Sequence, residues 1–142
     1  MELFRSFQIS GSALTAEKLR IDVVAGNLAN MQTTRTDTGG PYRRKTVVFG
    51  TELARASHRA SPAFRGQGVR VAALVEDPNP PRQEYDPEHP DADERGYVEY
   101  PNIDLAKEMT DLITASRSYE ANTTVVNTAK SLYLKALEIG RG

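Results

Sequence analysis

The sequence predicts an α+β protein in which two terminal helices pair antiparallel, like a coiled coil, around a small β-rich insert. Three observations carry this. All eight prolines lie between Pro41 and Pro101, and both flanking segments contain none. Each flanking segment repeats apolar residues every seven positions, the signature of a helical seam. The middle alternates short β-branched and aromatic runs with Gly and Pro turns. The chain thus divides into an N-terminal helical segment (residues 1–34), an insert (35–101) and a C-terminal helical segment (102–142).

The first helix is predicted from Leu3 to Met31. Phe7, Leu14, Ile21 and Leu28 form one line of its seam, and Val24 and Met31 belong to the second. Gly11, between two serines, is a candidate break or kink. Residues 1–19 lack the apolar core of a cleavable signal peptide.

The insert opens with a turn at Thr38-Gly39-Gly40-Pro41. Strands are predicted over Tyr42–Phe49 and Val69–Val75, the second entered through Gly66-Gln67-Gly68. Shorter ones are predicted at Arg82–Tyr85 and Gly96–Tyr100. Gly50 to Gly66 has no period and reads as a mobile or partner-ordered loop. Charge divides sharply. Residues 32–75 hold eight basic side chains against two acidic, and residues 76–101 hold two basic against nine acidic. The two halves can attract each other within one chain or between neighbours.

The last helix organises the chain. From Asn102 to Leu137 it contains no Pro or Gly. Leu105, Leu112, Tyr119, Val126 and Tyr133 form one seam line. Ala115, Asn122, Ala129 and Ala136 form the other. Asn102 is the predicted N-cap and Gly140 the predicted C′ residue. Past Val125, apolar residues cover most of the circumference, so the helix must be buried on most sides. Levelling Leu28 with Leu105 pairs Ile21 with Leu112, Leu14 with Tyr119 and Phe7 with Val126. Tyr133, Leu134, Leu137 and Ile139 then overhang. One partner helix cannot cover them, and other subunits are expected there.

Catalytic and ligand-binding patterns are missing. The glycine pairs lack the helix and lysine of a phosphate loop. His58 and His89 lack metal-ligand spacing. The acids Glu88, Asp91, Asp93 and Glu94 lack the calcium-loop pattern. Arg43-Arg44-Lys45 has no aromatic platform beside it, and a net charge of −1 gives no drive toward nucleic acid. No cysteine is present for a disulfide or thiolate site. No run is long and apolar enough to span a membrane. No enzyme activity, cofactor, nucleic acid or membrane insertion is expected. The competing reading is a small coiled-coil dimeric adaptor, or an enzyme with its site in the β insert.

Several stretches resemble one known family. Gly11-Ser12-Ala13-Leu14 through Ala25-Gly26-Asn27-Leu28-Ala29-Asn30 is similar to the N-terminal motif of bacterial flagellar axial proteins. Ala115-Ser116-Arg117-Ser118-Tyr119-Glu120-Ala121-Asn122 is similar to their C-terminal motif. Residues 93–104, with Glu108-Met109, closely resemble the proximal-rod members. Gly50 to Gly68 departs from the family pattern, as do Glu94-Arg95.

The resemblance implies a structural subunit of the proximal rod in the flagellar basal body, in the periplasm. Such subunits leave the cell through the flagellar type III apparatus without signal cleavage. They polymerise helically into a drive shaft that transmits torque. Implied partners are further copies, other rod proteins, the adaptor on the MS-ring side and the export apparatus. The polar motif residues Asn27, Asn30, Arg117 and Asn122 are expected to bond across subunits. Helix packing or assembly contacts are expected at Leu14, Ile21, Val24 and Leu28 on the first helix. On the last helix they are expected at Leu105, Leu112, Tyr119 and Val126, and toward its end at Leu132, Tyr133, Leu134, Leu137 and Ile139.

Overall fold

In the computed structural model, which describes residues 2–53 and 66–140, six elements follow one another. They are α1 (Glu2–Ala29), β1 (Lys45–Leu53), β2 (Gly66–Glu76), β3 (Arg82–Tyr85), β4 (Tyr97–Tyr100) and α2 (Leu105–Gly140). The strands form two separate antiparallel pairs, β1 with β2 and β3 with β4. The fold is α+β, with long helices at both ends and the small sheets between.

Gly11 does not break α1, which continues through it. Nothing lies near the place where its β-carbon would be. After Ala29 the chain turns sharply. Asn30 donates through both its backbone N–H (3.1 Å) and its side-chain Nδ2 (2.9 Å) to the carbonyl of Gly26. The cap of α2 is Asp104, two residues later than the sequence suggests. Its Oδ1 accepts from the amides of Ala106 (2.9 Å) and Lys107 (3.2 Å). A carboxylate there also complements the helix dipole. Gly140 is still helical.

β1 starts at Lys45, not Tyr42, because the Tyr42 amide donates to Thr33 O (3.1 Å) and belongs to the preceding turn. It runs on through Leu53, so the first residues of the anticipated loop are strand. Residues 54–65 of that loop lie outside the described residues, and Gly66 is already the first residue of β2. Two bulges interrupt the β1–β2 register, at Val48/Phe49 and at Glu52/Leu53.

The β1–β2 hairpin lies along α1 and is pinned at two points. Asn27 Nδ2 donates to Lys45 O (2.8 Å), and Asn27 Oδ1 accepts from Lys45 N (2.9 Å). Near the other end of the hairpin, Ser12 Oγ accepts from Val69 N (3.0 Å). Ser12 and Asn27 stand about 22 Å apart along a helix rising 1.5 Å per residue. Lys45 and Thr51, the partner of Val69, stand about 20 Å apart along a strand. The two lengths match, so both pins can close at once along the same face of α1.

In the β3–β4 unit, Asp93 Oδ1 accepts from the amides of Arg95 and Tyr97, each at 2.8 Å. The Tyr97 amide, outweighing some desolvation, holds the Asp93 carboxyl below its usual range. The two charge halves meet within the chain at Asp91. It accepts from Thr34 Oγ1 (2.8 Å) and faces Arg35 (3.5 Å).

The helices run antiparallel. Asn27 meets Glu108 at one end, and at the other Phe4 packs edge-on against Tyr133 with ring centroids 5.7 Å apart. This register differs from the heptad alignment by about half to one turn. Tyr133 therefore has a partner within the chain, and the overhang begins at Leu134. The buried line between the helices is built of small residues, Ala16, Ala115 and Ala129, with Ser10 and Val24. Small seam side chains let helix axes come close. They also bury little apolar area.

Candidate assembly interface

Most large apolar side chains on α2 are only partly covered within the chain. Leu132, Leu134 and Leu137 are about half exposed, and Ile139 is 82% exposed. At 100° per residue, Leu132 and Ile139 share one face, while Leu134 and Leu137 share another. α1 lies along neither for its full length. Near the same end, Phe4, Phe7, Ala129, Lys130 and Tyr133 line an open, largely apolar recess of about 290 Å³. Exposed Leu105, Met109, Ile113 and Tyr119 continue the uncovered surface toward the start of α2.

The expected contact residues separate into three groups. Val24 and Asn27 are buried. Leu14, Ile21, Leu28, Leu112 and Val126 are half-buried, consistent with packing between α1 and α2. Leu105, Tyr119, Leu132, Tyr133, Leu134, Leu137 and Ile139 are exposed and available to neighbours.

The polar motif residues behave differently from one another. The Asn27 amide is engaged within the chain. Both of its side-chain atoms are used, and the residue is fully buried. Asn30 caps its own helix, and Asn122 Nδ2 donates to Ser118 O one turn back (2.9 Å). Arg117 is exposed.

Beside the apolar surface lies a polar junction that joins α1, α2 and the insert. Glu108 is fully buried. Its Oε1 accepts from Arg44 Nε (2.5 Å) and its Oε2 from Asn27 Nδ2 (3.0 Å). Tyr42 Oη donates to Asn27 Oδ1 (3.2 Å). Asp111 extends the network to Arg44 (3.6 Å) and Arg20 (3.5 Å). Burial, then the carboxylates of Glu76 and Glu108, push the Tyr42 hydroxyl above its ordinary pKa.

Periodicity held a signal for this junction. Glu108 falls seven residues before Ala115, on the second seam line. A charged residue on a seam calls for a buried counter-charge. Arg44, far away in sequence, supplies it.

Among the described residues, no three His, Asp or Glu side chains are placed to hold a metal ion. No helix among them is long and apolar enough to cross a membrane.

Comparison with known proteins agrees at both ends of the chain. The family model described as "Flagella basal body rod protein" matches residues 7–35. That described as "Flagellar basal body rod FlgEFG protein C-terminal" matches residues 94–139. The flagellar basal-body rod protein FlgC of Borreliella burgdorferi is 45% identical, with both chains fully covered. The same-named protein of Bacillus subtilis is 45% identical over 99% of this chain and 100% of its own. That of Yersinia enterocolitica is 46% identical, with the same coverage. With such identity along its whole length, this chain belongs to the FlgC family of flagellar basal-body rod proteins, which are structural components of the rod and not enzymes.

Proposed function

We propose that this chain polymerises helically in the proximal rod, with the exposed apolar end of α2 packed against neighbouring subunits. Segments 1–34 and 102–142 form one helical unit that makes the shaft, and the insert 35–101 rides on it. The assembled rod transmits torque as a drive shaft. Its partners are further copies and other rod proteins, with the MS-ring-side adaptor at its base. The subunit reaches its place through the flagellar type III export apparatus, without a cleaved signal.

The observation that carries this is the apolar surface on more than one face of α2 beyond Val125, which α1 leaves uncovered. Fully burying a Leu or Ile contributes about 1.5–3 kcal/mol, so covering the exposed parts of Leu132, Leu134, Leu137 and Ile139 contributes several kcal/mol per subunit. Leu134→Asp tests it. In the isolated chain the new carboxylate faces water, and the denaturation midpoint is expected to stay near wild type. In the rod it would be buried without a partner. Cells carrying only this variant are expected to build no rod and not to swim. Normal swimming would overturn the proposal.

A further inference from the structure

We infer that the buried Asn27–Glu108–Arg44 cluster sets the register of the two helices, selecting one of several apolar alignments that the seam by itself permits. The seam is nearly degenerate. Phe7, Leu14, Ile21 and Leu28 repeat every seven residues, as do Leu105, Leu112, Tyr119, Val126 and Tyr133. A slip of seven residues therefore sets apolar side chains against apolar side chains again. The buried alanines Ala16, Ala115 and Ala129 have little shape with which to resist it.

Glu108 breaks the degeneracy. It is charged, fully buried and on the seam line, and both of its oxygens are bonded. A slip of one heptad would face Asn27 with Ala115 in one direction or with Pro101 in the other. Either removes the Asn27–Glu108 bond. A buried carboxylate without its partners is strongly disfavoured, and a single polar seam position is known to fix helix register in this way. Arg44 lies just before β1, so the same cluster also fixes the insert relative to both helices. The Arg20–Asp111 pair, at 3.5 Å and partly exposed, adds little by comparison.

The test uses the full chain with Glu108→Leu and Arg44→Met together. This removes the charge pair but leaves Asn27 bonded to Lys45 and Tyr42. The chain has no cysteine, so Asp22→Cys and Thr128→Cys can carry one spin label each. Both positions are exposed. They are offset along the helix axis by about 20 Å, and a heptad slip displaces one by about 10 Å.

The labelled wild-type background should give one distance. The double variant should keep its helical circular dichroism and add a second distance population shifted by several ångströms. Glu108→Gln with Arg44→Met, which keeps an acceptor for Asn27, should restore the single distance. A single native distance in the Glu108→Leu, Arg44→Met chain would overturn the inference. So would loss of its helical signal, because the cluster would then hold the fold together and not choose its register.

Discussion

One side-chain amide holds both backbone groups of another residue: Asn27 Nδ2 donates to the Lys45 carbonyl and Asn27 Oδ1 accepts from the Lys45 amide, at 2.8 and 2.9 Å. The contact is the first of two pins between α1 and the hairpin, and Asn27 also bonds Glu108. Asn27→Leu leaves the Lys45 groups and one Glu108 oxygen without this partner. Each unsatisfied buried group costs about 1–3 kcal/mol. The chain should lose roughly 2–4 kcal/mol of stability in a urea titration, within the range for a broken buried network. A midpoint unchanged from wild type would show that these bonds are replaced by water without loss.

The second pin depends on a glycine. Gly68 has φ +137°, and a β-carbon there would collide with Ser12 Oγ. Gly68→Ala should destabilise the chain by about 1–3 kcal/mol, from backbone strain and the collision together. Ser12→Gly in the same chain should recover part of that loss by making room, leaving the strain. Purely additive losses in the double-mutant cycle would show that the two residues do not meet.

Tyr42 predicts a loss of stability in alkali. Burial first, then Glu76 and Glu108, raise its folded pKa above the ordinary 10.0. The unfolded chain therefore releases this proton first. The contribution is fully present below pH 10.0 and is lost as pH rises from there through the folded value. Tyr42→Phe removes the titrating group, so its urea midpoint should fall less than that of wild type between pH 9 and 11. Parallel curves for the two proteins would contradict this.

Local pattern carried the elements well, and non-local chemistry accounts for what it missed. The heptads of Phe7–Leu28 and Leu105–Tyr133 announced two paired helices, and β3 spans the short run Arg82–Tyr85 predicted as a strand. The cap moved from Asn102 to Asp104 because either side chain can cap, and tertiary turns decide which one does. The helix register was displaced by about half to one turn because apolar spacing does not by itself fix the level of one helix against the other, while the Asn27–Glu108 bond that distinguishes one alignment is visible only after folding. Arg44 could not be assigned to Glu108 from spacing at all, since the insert brings them together. The apolar excess from Leu132 to Ile139 was legible in the sequence, because a helix apolar on several sides needs cover on several sides.

That excess is also where the central claim is tested most directly. Hydrogen exchange across residues 125–139 can be compared between the purified monomer and intact basal bodies containing the same chain. The assembly reading predicts weak protection in the monomer, where Leu134, Leu137 and Ile139 lack cover, and strong protection in the assembled rod. Equal, weak protection in both would mean that no neighbour covers the end of α2, and would contradict it.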